Sequence, residues 1–317
     1  MKIIFLGTPQ FAVPSLDILV KNKYDIAAVI TAPGKNAGRG LKIKQSAIKE
    51  YADEKGLLTF QPEKFSDTGF LNQIRTLNAD LFIVVAFRML PEVLWKMPPL
   101  GTFNLHGSLL PDYRGAAPIN RAIMNGETET GVTTFFLKHE IDTGNIIFSE
   151  KIAIHPNETA GELHDRMMVT GAQLVLKTVK TIESQSVTTQ PQEALADTGS
   201  NLKKAPKIFT ADCQLNWELA AHQLHNQIRG LSPFPGAFTW LSAPDGKRIL
   251  LKIYRTALTS RSDSKQPGTI EAGEENIFIR CNDFYLELLE VQQEGKKRMT
   301  VKDFIKGFRT EKAWKAE

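Results

Sequence analysis

A chain of 317 residues that is 42% hydrophobic, 23% charged and 9% aromatic has ordinary globular composition, which excludes a disordered or fibrous protein and leaves room for two domains. The longest apolar run, residues 81–87, has seven members against the roughly 20 of a membrane span, and two cysteines, Cys213 and Cys281, build neither a disulfide framework nor a zinc site. The net charge of +4 is uneven: residues 1–202 hold 20 Lys and Arg against 21 Asp and Glu, whereas residues 203–317 hold 19 against 14, so a near-neutral first part joins a basic last part suited to a polyanion.

Met1-Lys2-Ile3-Ile4-Phe5-Leu6-Gly7 resembles a signal peptide only superficially, because four apolar residues before Gly7 are too few for its core; a cytoplasmic location is expected. Residues 2–6, 26–31 and 81–86 read as buried strands, with helical spacing between them at 11–20 and 45–55. Alternation of this kind predicts a parallel sheet covered by helices on both faces. Further strands are predicted at 102–106, 133–137 and 146–154, followed by a long amphipathic helix over 159–182 with Leu163, Met167 and Leu174 on its apolar stripe. The chain then turns polar and loses its period, which reads as a linker.

Beyond it, residues 217–229 predict a helix ending at Gly230, and Ser232-Pro233-Phe234-Pro235-Gly236 breaks the chain. Short strand-like segments at 237–241, 248–254, 268–270, 277–281 and 285–291 are separated by Asp245-Gly246, Pro267-Gly268 and Asn282-Asp283. The expected fold is therefore α/β, a Rossmann-like, mostly parallel sheet followed by a small antiparallel, OB-like β-barrel. The expected domains are residues 1–185, a linker at 186–206, and the barrel at 207–317.

The segment from Gly101 to Pro118 carries the strongest chemical signal. Side chains alternate along a strand, so Asn104 and His106 share one face while Phe103 and Leu105 share the other. Two polar residues on one face of an apolar strand suit an active-site edge at the carboxyl end of a parallel sheet. The amide can donate to a developing oxyanion and the imidazole can donate or move a proton. A capped strand with a satisfied histidine gives the same pattern. Asp142, in Glu140-Ile141-Asp142-Thr143-Gly144, follows a predicted strand and is placed to orient His106 and favour its charged form; a plain turn explains it equally well. Asp-Thr-Gly also occurs at Asp67 and Asp197, as in an aspartic protease, but those two precede a helix and a polar linker rather than sitting in sheet loops.

Between Ala32 and Lys44, Gly34, Gly38 and Gly40 alternate with Lys35, Arg39, Lys42 and Lys44. This fits neither the Walker nor the dinucleotide pattern; it is a basic loop able to close over phosphates, or a solvated surface loop. His222 and His225 stand three apart on a helix without an evident third ligand, so no metal is expected.

Taken together, Ile3-Ile4-Phe5-Leu6-Gly7-Thr8-Pro9, Ala37-Gly38-Arg39-Gly40, Phe103 to Pro111, Tyr113-Arg114-Gly115-Ala116-Ala117-Pro118-Ile119 and Asp142-Thr143-Gly144 resemble the methionyl-tRNA formyltransferase family, in its order and over nearly the full length. Ala86-Phe87-Arg88-Met89-Leu90-Pro91 departs from the family, which usually has Tyr-Gly and a slightly longer segment there. The resemblance implies formyl transfer from 10-formyltetrahydrofolate to the methionine amine of initiator tRNA, with Asn104, His106 and Asp142 catalytic. It further implies folate contacts from Ser108, Leu109, Leu110 and Pro111, tRNA contacts from Lys35, Arg39 and Lys42, a barrel gripping phosphates, and no metal. Two other readings compete: a formyltransferase acting on a small amine, which leaves the basic last domain without a role, and a silent RNA-binding module, which leaves the three polar residues without one.

Overall fold

A computed structural model of the chain describes residues 1–37, 42–195, 201–308 and 313–317. In chain order the elements are β1 Lys2–Gly7, α1 Val13–Lys21, β2 Asp25–Ile30, β3 Lys35–Ala37, β4 Lys42–Lys44, α2 Ala47–Glu54, β5 Thr59–Phe60, α3 Thr68–Thr76, β6 Leu81–Val85, α4 Glu92–Trp95, β7 Thr102–His106, β8 Arg114–Gly115, α5 Pro118–Met124, β9 Glu129–Phe136, β10 Ile146–Ala153 and α6 Ala160–Glu183. They continue with β11 Lys204–Ala205, α7 Ala221–Leu231, β12 Ala237–Ser242, β13 Arg248–Leu258, β14 Ile270–Ala272, β15 Ile277–Arg280, β16 Tyr285–Gln293, β17 Met299–Thr300, α8 Val301–Ile305 and β18 Lys315–Ala316. Among the described residues no helix is long and apolar enough to cross a membrane.

The chain forms two compact units: residues 1–115, 130–152 and 164–204 make one, and residues 116–129, 153–163 and 205–317 the other. Two short segments that chain order assigns to the first domain, 116–129 and 153–163, thus pack with the second unit.

The first unit holds a seven-stranded sheet in the order β10-β9-β7-β6-β1-β2-β5. β1 pairs in parallel with β2 and β6, and β6 with β7, while β9 runs antiparallel to β7. This is the mostly parallel α/β sheet expected from the alternating runs. Ile3, Ile4, Phe5 and Leu6 are each 0% exposed, as they must be where both faces are covered. Ile4 and Leu6 meet Phe70, Leu71 and Ile74 of α3 on one face. The carboxyl ends of β1, β6 and β7 share one sheet edge, so loops after them are brought together.

The second unit is a sheet in the order β14-β15-β16-β13-β12-β18, with antiparallel pairing along its length. An antiparallel bridge from Thr269 to Lys315 brings its two edges together, making a nearly closed barrel. Leu224 and Ile228 of α7 pack into its core with Ile253, Ile279 and Leu286. The helix begins at Ala221, later than the apolar spacing from Trp217 predicts, because the Trp217 indole is drawn into the barrel to donate to Thr239 Oγ1 at 3.0 Å. Gly230 lies within the helix rather than ending it: a Cβ there would fall 2.6 Å from Met124 Cγ, so close packing against α5 requires it.

Candidate active site

β7 presents its residues as the period of two dictates. Phe103 and Leu105 are buried, and Leu105 lies so close to α6 that a Cβ on Gly171 would sit 2.7 Å from its methyl. On the opposite face Asn104 is half-buried, and its side-chain amide makes no hydrogen bond among the described residues. His106, at the strand's carboxyl end, pairs in register with Thr133 of β9.

The geometry around His106 assigns its nitrogens. Nε2 lies 2.9 Å from the Tyr113 carbonyl, which can only accept, so Nε2 carries the hydrogen. Nδ1 is left facing Asp142 Oδ2 at 3.9 Å. In the neutral imidazole these are two acceptors; a proton on Nδ1 turns the contact attractive. The two side chains are well shielded, at 7% and 13% exposure, so solvent screens this attraction weakly. Asp142 is held from behind, since Oδ2 also accepts from the Gly115 N–H at 3.0 Å.

The loop carrying Asp142 joins β9 to β10 and is closed at its base by Phe136 N donating to the Asn145 carbonyl at 3.1 Å. Asp142 adopts φ +55°, a region that Asp tolerates better than most residues. Gly144 has no room for a side chain: a Cβ would fall 1.5 Å from the Phe136 carbonyl oxygen. Gly144→Ala should displace the loop, and because about 1 Å of misplacement costs about 100-fold in rate, transfer should fall by that order while circular dichroism stays native. An active, folded Gly144→Ala protein would mean that the loop position does not matter.

The turn after β7 is built from its own side chains. Ser108 is fully buried and donates to the Asp112 carbonyl at 2.6 Å, while Thr133 Oγ1 donates to the Ser108 carbonyl at 2.7 Å. Leu110 is buried with Phe135 and Ile146, and Leu109 packs over Gly131. Only Leu109 and Pro111 of the four expected folate contacts keep partial exposure. An open cleft of about 610 Å³ lies on the outer side of the Asp142 loop, with Trp95, Lys96, Leu137, His139 and Thr143 in its wall and Asn104, His106 and Asp142 outside it. The sequence reading does not reach the wall residues, because no local pattern announces a cleft. In the divergent segment Phe87 packs against the core, its ring 5.8 Å from that of Phe65, and the Arg88 guanidinium sits 4.0 Å over Phe65 and donates to the Glu63 and Pro62 carbonyls.

Of the basic loop, Lys35 is exposed in β3, and Lys42 opens β4, which pairs antiparallel with it, so paired strands stand where the sequence predicts a loop. Arg39 lies outside the described residues, as does Asp197. Asp67 instead caps α3, accepting from Phe70 N at 2.7 Å. Among the described residues no cluster of three or more His, Cys, Asp or Glu is arranged to hold a metal. His225 is a core histidine, accepting or donating at 2.9 Å with Thr256 Oγ1, and burial followed by the Arg229 charge holds its pKa below the usual value. Both cysteines are buried and burial pushes the Cys281 thiol up to about 12, so neither is a ready nucleophile.

Comparison with known proteins identifies the class. Residues 1–179 match the formyl transferase family and residues 207–309 match the formyl transferase C-terminal domain, and the chain belongs to this family. Among its relatives are methionyl-tRNA formyltransferases, one from Flavobacterium johnsoniae at 48% identity over 97% of this chain and 96% of that one. Another, from Parabacteroides distasonis, is 47% identical over 98% and 96%. The fold is also that of an N-formyltransferase from Helicobacter canadensis solved with folinic acid and dTDP-3-aminofucose, with a TM-score of 0.65 and 22% identity over 94% of this chain and 100% of that one.

Proposed function

We propose that the protein transfers the formyl group of 10-formyltetrahydrofolate to the amino group of methionine on initiator methionyl-tRNA, in the cytoplasm. The observation that carries the chemistry is the His106 Nδ1–Asp142 contact of 3.9 Å on the strand that also presents the unengaged Asn104 amide. Attack of the neutral amine on the formyl carbon forms a C–N bond and moves the carbonyl pair onto oxygen. The Asn104 amide donates to that oxygen, and protonated His106 stabilises the same charge. Asp142 favours the imidazolium and accepts the ammonium proton. Collapse breaks the bond to the folate nitrogen, which leaves with the proton that Asp142 accepted. No covalent enzyme intermediate is required.

The donor meets the turn after β7 at Leu109 and Pro111, with Ser108 and Leu110 buried beneath them to shape it. Residues 1–185 carry the catalysis, 186–206 connect, and 207–317 grip the tRNA. Lys35, Arg39 and Lys42 meet the acceptor end, and exposed lysines on barrel turns, Lys247, Lys296 and Lys297, meet phosphates. The full-length likeness to named methionyl-tRNA formyltransferases and the basic second part support this reading. The test incubates the protein with formyl donor and charged initiator tRNA and follows formyl-methionine. Formylation of initiator tRNA in preference to an amino-sugar nucleotide is expected; the reverse preference would replace tRNA with a small amine.

A further inference from the structure

The polar segment after α6 is not a bare connection. Gln190 exchanges backbone hydrogen bonds with Ile146 at 2.8 and 2.9 Å, and the Lys203 carbonyl accepts from Tyr113 N at 2.6 Å. Between them Gln192 is 0% exposed. Its amide nitrogen donates to the carbonyls of Asp142 at 2.9 Å and Gly144 at 2.8 Å. Its amide oxygen accepts from Arg114 Nε at 3.0 Å and Nη2 at 2.6 Å. Both N–H groups and both lone pairs are used, the full capacity of a primary amide.

The two segments that Gln192 ties together are those the chemistry needs in register. Arg114 stands between Tyr113, whose carbonyl fixes His106 Nε2, and Gly115, whose N–H holds Asp142 Oδ2. On the other side Gln192 grips the backbone of Asp142 itself, at its φ of +55°, and of Gly144. We propose that Gln192 is a positioning residue for formyl transfer, setting the Asp142 carboxylate against His106 by bracing the Asp142 loop to the Arg114 turn; this rests on the catalytic reading of Asp142. Few side chains fill the role. A carboxylate at this position would accept from Arg114 but would set its second oxygen against two carbonyl oxygens, and an aliphatic side chain would take from both carbonyls and from the Arg114 guanidinium the bonds Gln192 makes.

The experiment compares Gln192→Met and Gln192→Glu with wild type, alone and combined with Asp142→Asn, measuring kcat, the KM for each substrate and Tm. In the wild-type background each Gln192 variant should lower kcat by about 10-fold, with KM for tRNA within about 2-fold, because the loss lies in the placement of a group that acts in the transition state. In the Asp142→Asn background the same substitutions should cost less than about 2-fold more, because the group they misplace is already gone. Losses that multiply undiminished across the two backgrounds would overturn the proposal, as would unchanged kcat in either Gln192 variant. Gln192→Glu keeps the acceptor for Arg114 and so serves where Gln192→Met does not fold. Asp142→Asn alone tests the catalytic reading separately: if it retains full transfer, that reading fails; if it collapses while the Gln192 variants do not, only the bracing role fails.

Discussion

His106→Ala and Asp142→Asn should each lower formyl transfer by about 100-fold or more while the fold survives, the scale of a positioned acid–base group. The two side chains face each other at 3.9 Å and are both largely shielded from solvent. In the proposed reaction His106→Ala removes the group that stabilises the oxyanion. Asp142→Asn keeps the shape and an acceptor for Gly115 N, yet removes the carboxylate that accepts the ammonium proton. Asn104→Ala should act differently: its amide has no partner to lose among the described residues, and its hydrogen bond strengthens only as the oxyanion forms, so kcat should fall by about 100-fold or more with little change in donor affinity. Steady-state kinetics on folded variants check all three. Near-normal turnover in His106→Ala or Asp142→Asn would remove the pair from the chemistry, and weakened donor binding with unchanged turnover would make Asn104 a binding residue.

The second large effect is on tRNA. Neutralising phosphates releases counterions, so with about six of them engaged affinity should drop about 1,000-fold between about 50 and 200 mM salt, whereas folate affinity should change far less. Most arginines of the barrel are already committed: Arg248 to Glu317, Arg255 to Glu162 and Glu290, Arg261 to Glu271, and Arg298 to Glu290. The charge left for a polyanion is therefore carried by exposed lysines such as Lys247, Lys296 and Lys297. Replacing Lys296 and Lys297 by Gln should make the dependence of log affinity on log salt shallower by nearly one for each lysine that pairs with a phosphate. A slope unchanged by the double substitution would place the tRNA elsewhere, and a salt-independent affinity would return the small-amine reading.

β7 is legible before any coordinate because a half-apolar strand has a period of two, and two polar residues on one face stand out against it. The sheet is legible for the same reason: runs such as 2–6 and 81–86, apolar on both faces, belong in few places other than under helices. Ser108 shows where such reading stops. Its hydroxyl is spent on the Asp112 carbonyl inside the turn, and nothing in Ser108-Leu109-Leu110-Pro111 says which way that oxygen points. The pairing of Lys35–Ala37 with Lys42–Lys44 is hidden likewise, since segments this short and lysine-rich carry no apolar alternation to betray paired strands. In the barrel, the start of α7 and the place of Gly230 are decided by Trp217 and Met124, partners that local spacing does not name.

By itself the sequence determines the order of strands and helices, the neutral-to-basic division of charge, and the family to which the chain belongs. These follow from short-range periodicity and from residue types in a fixed order, both of which survive in the unfolded chain. Only the tertiary structure decides that His106 presents Nδ1 to Asp142, that Gly115 anchors the carboxylate, and that Gln192, in a stretch that reads as a linker, bonds Asp142, Gly144 and Arg114 at once. Each of these depends on segments separated by 27 to 78 positions closing on one another. A polar side chain that satisfies distant backbone groups leaves no periodic trace, because its partners are chosen by the fold rather than by its neighbours in the chain.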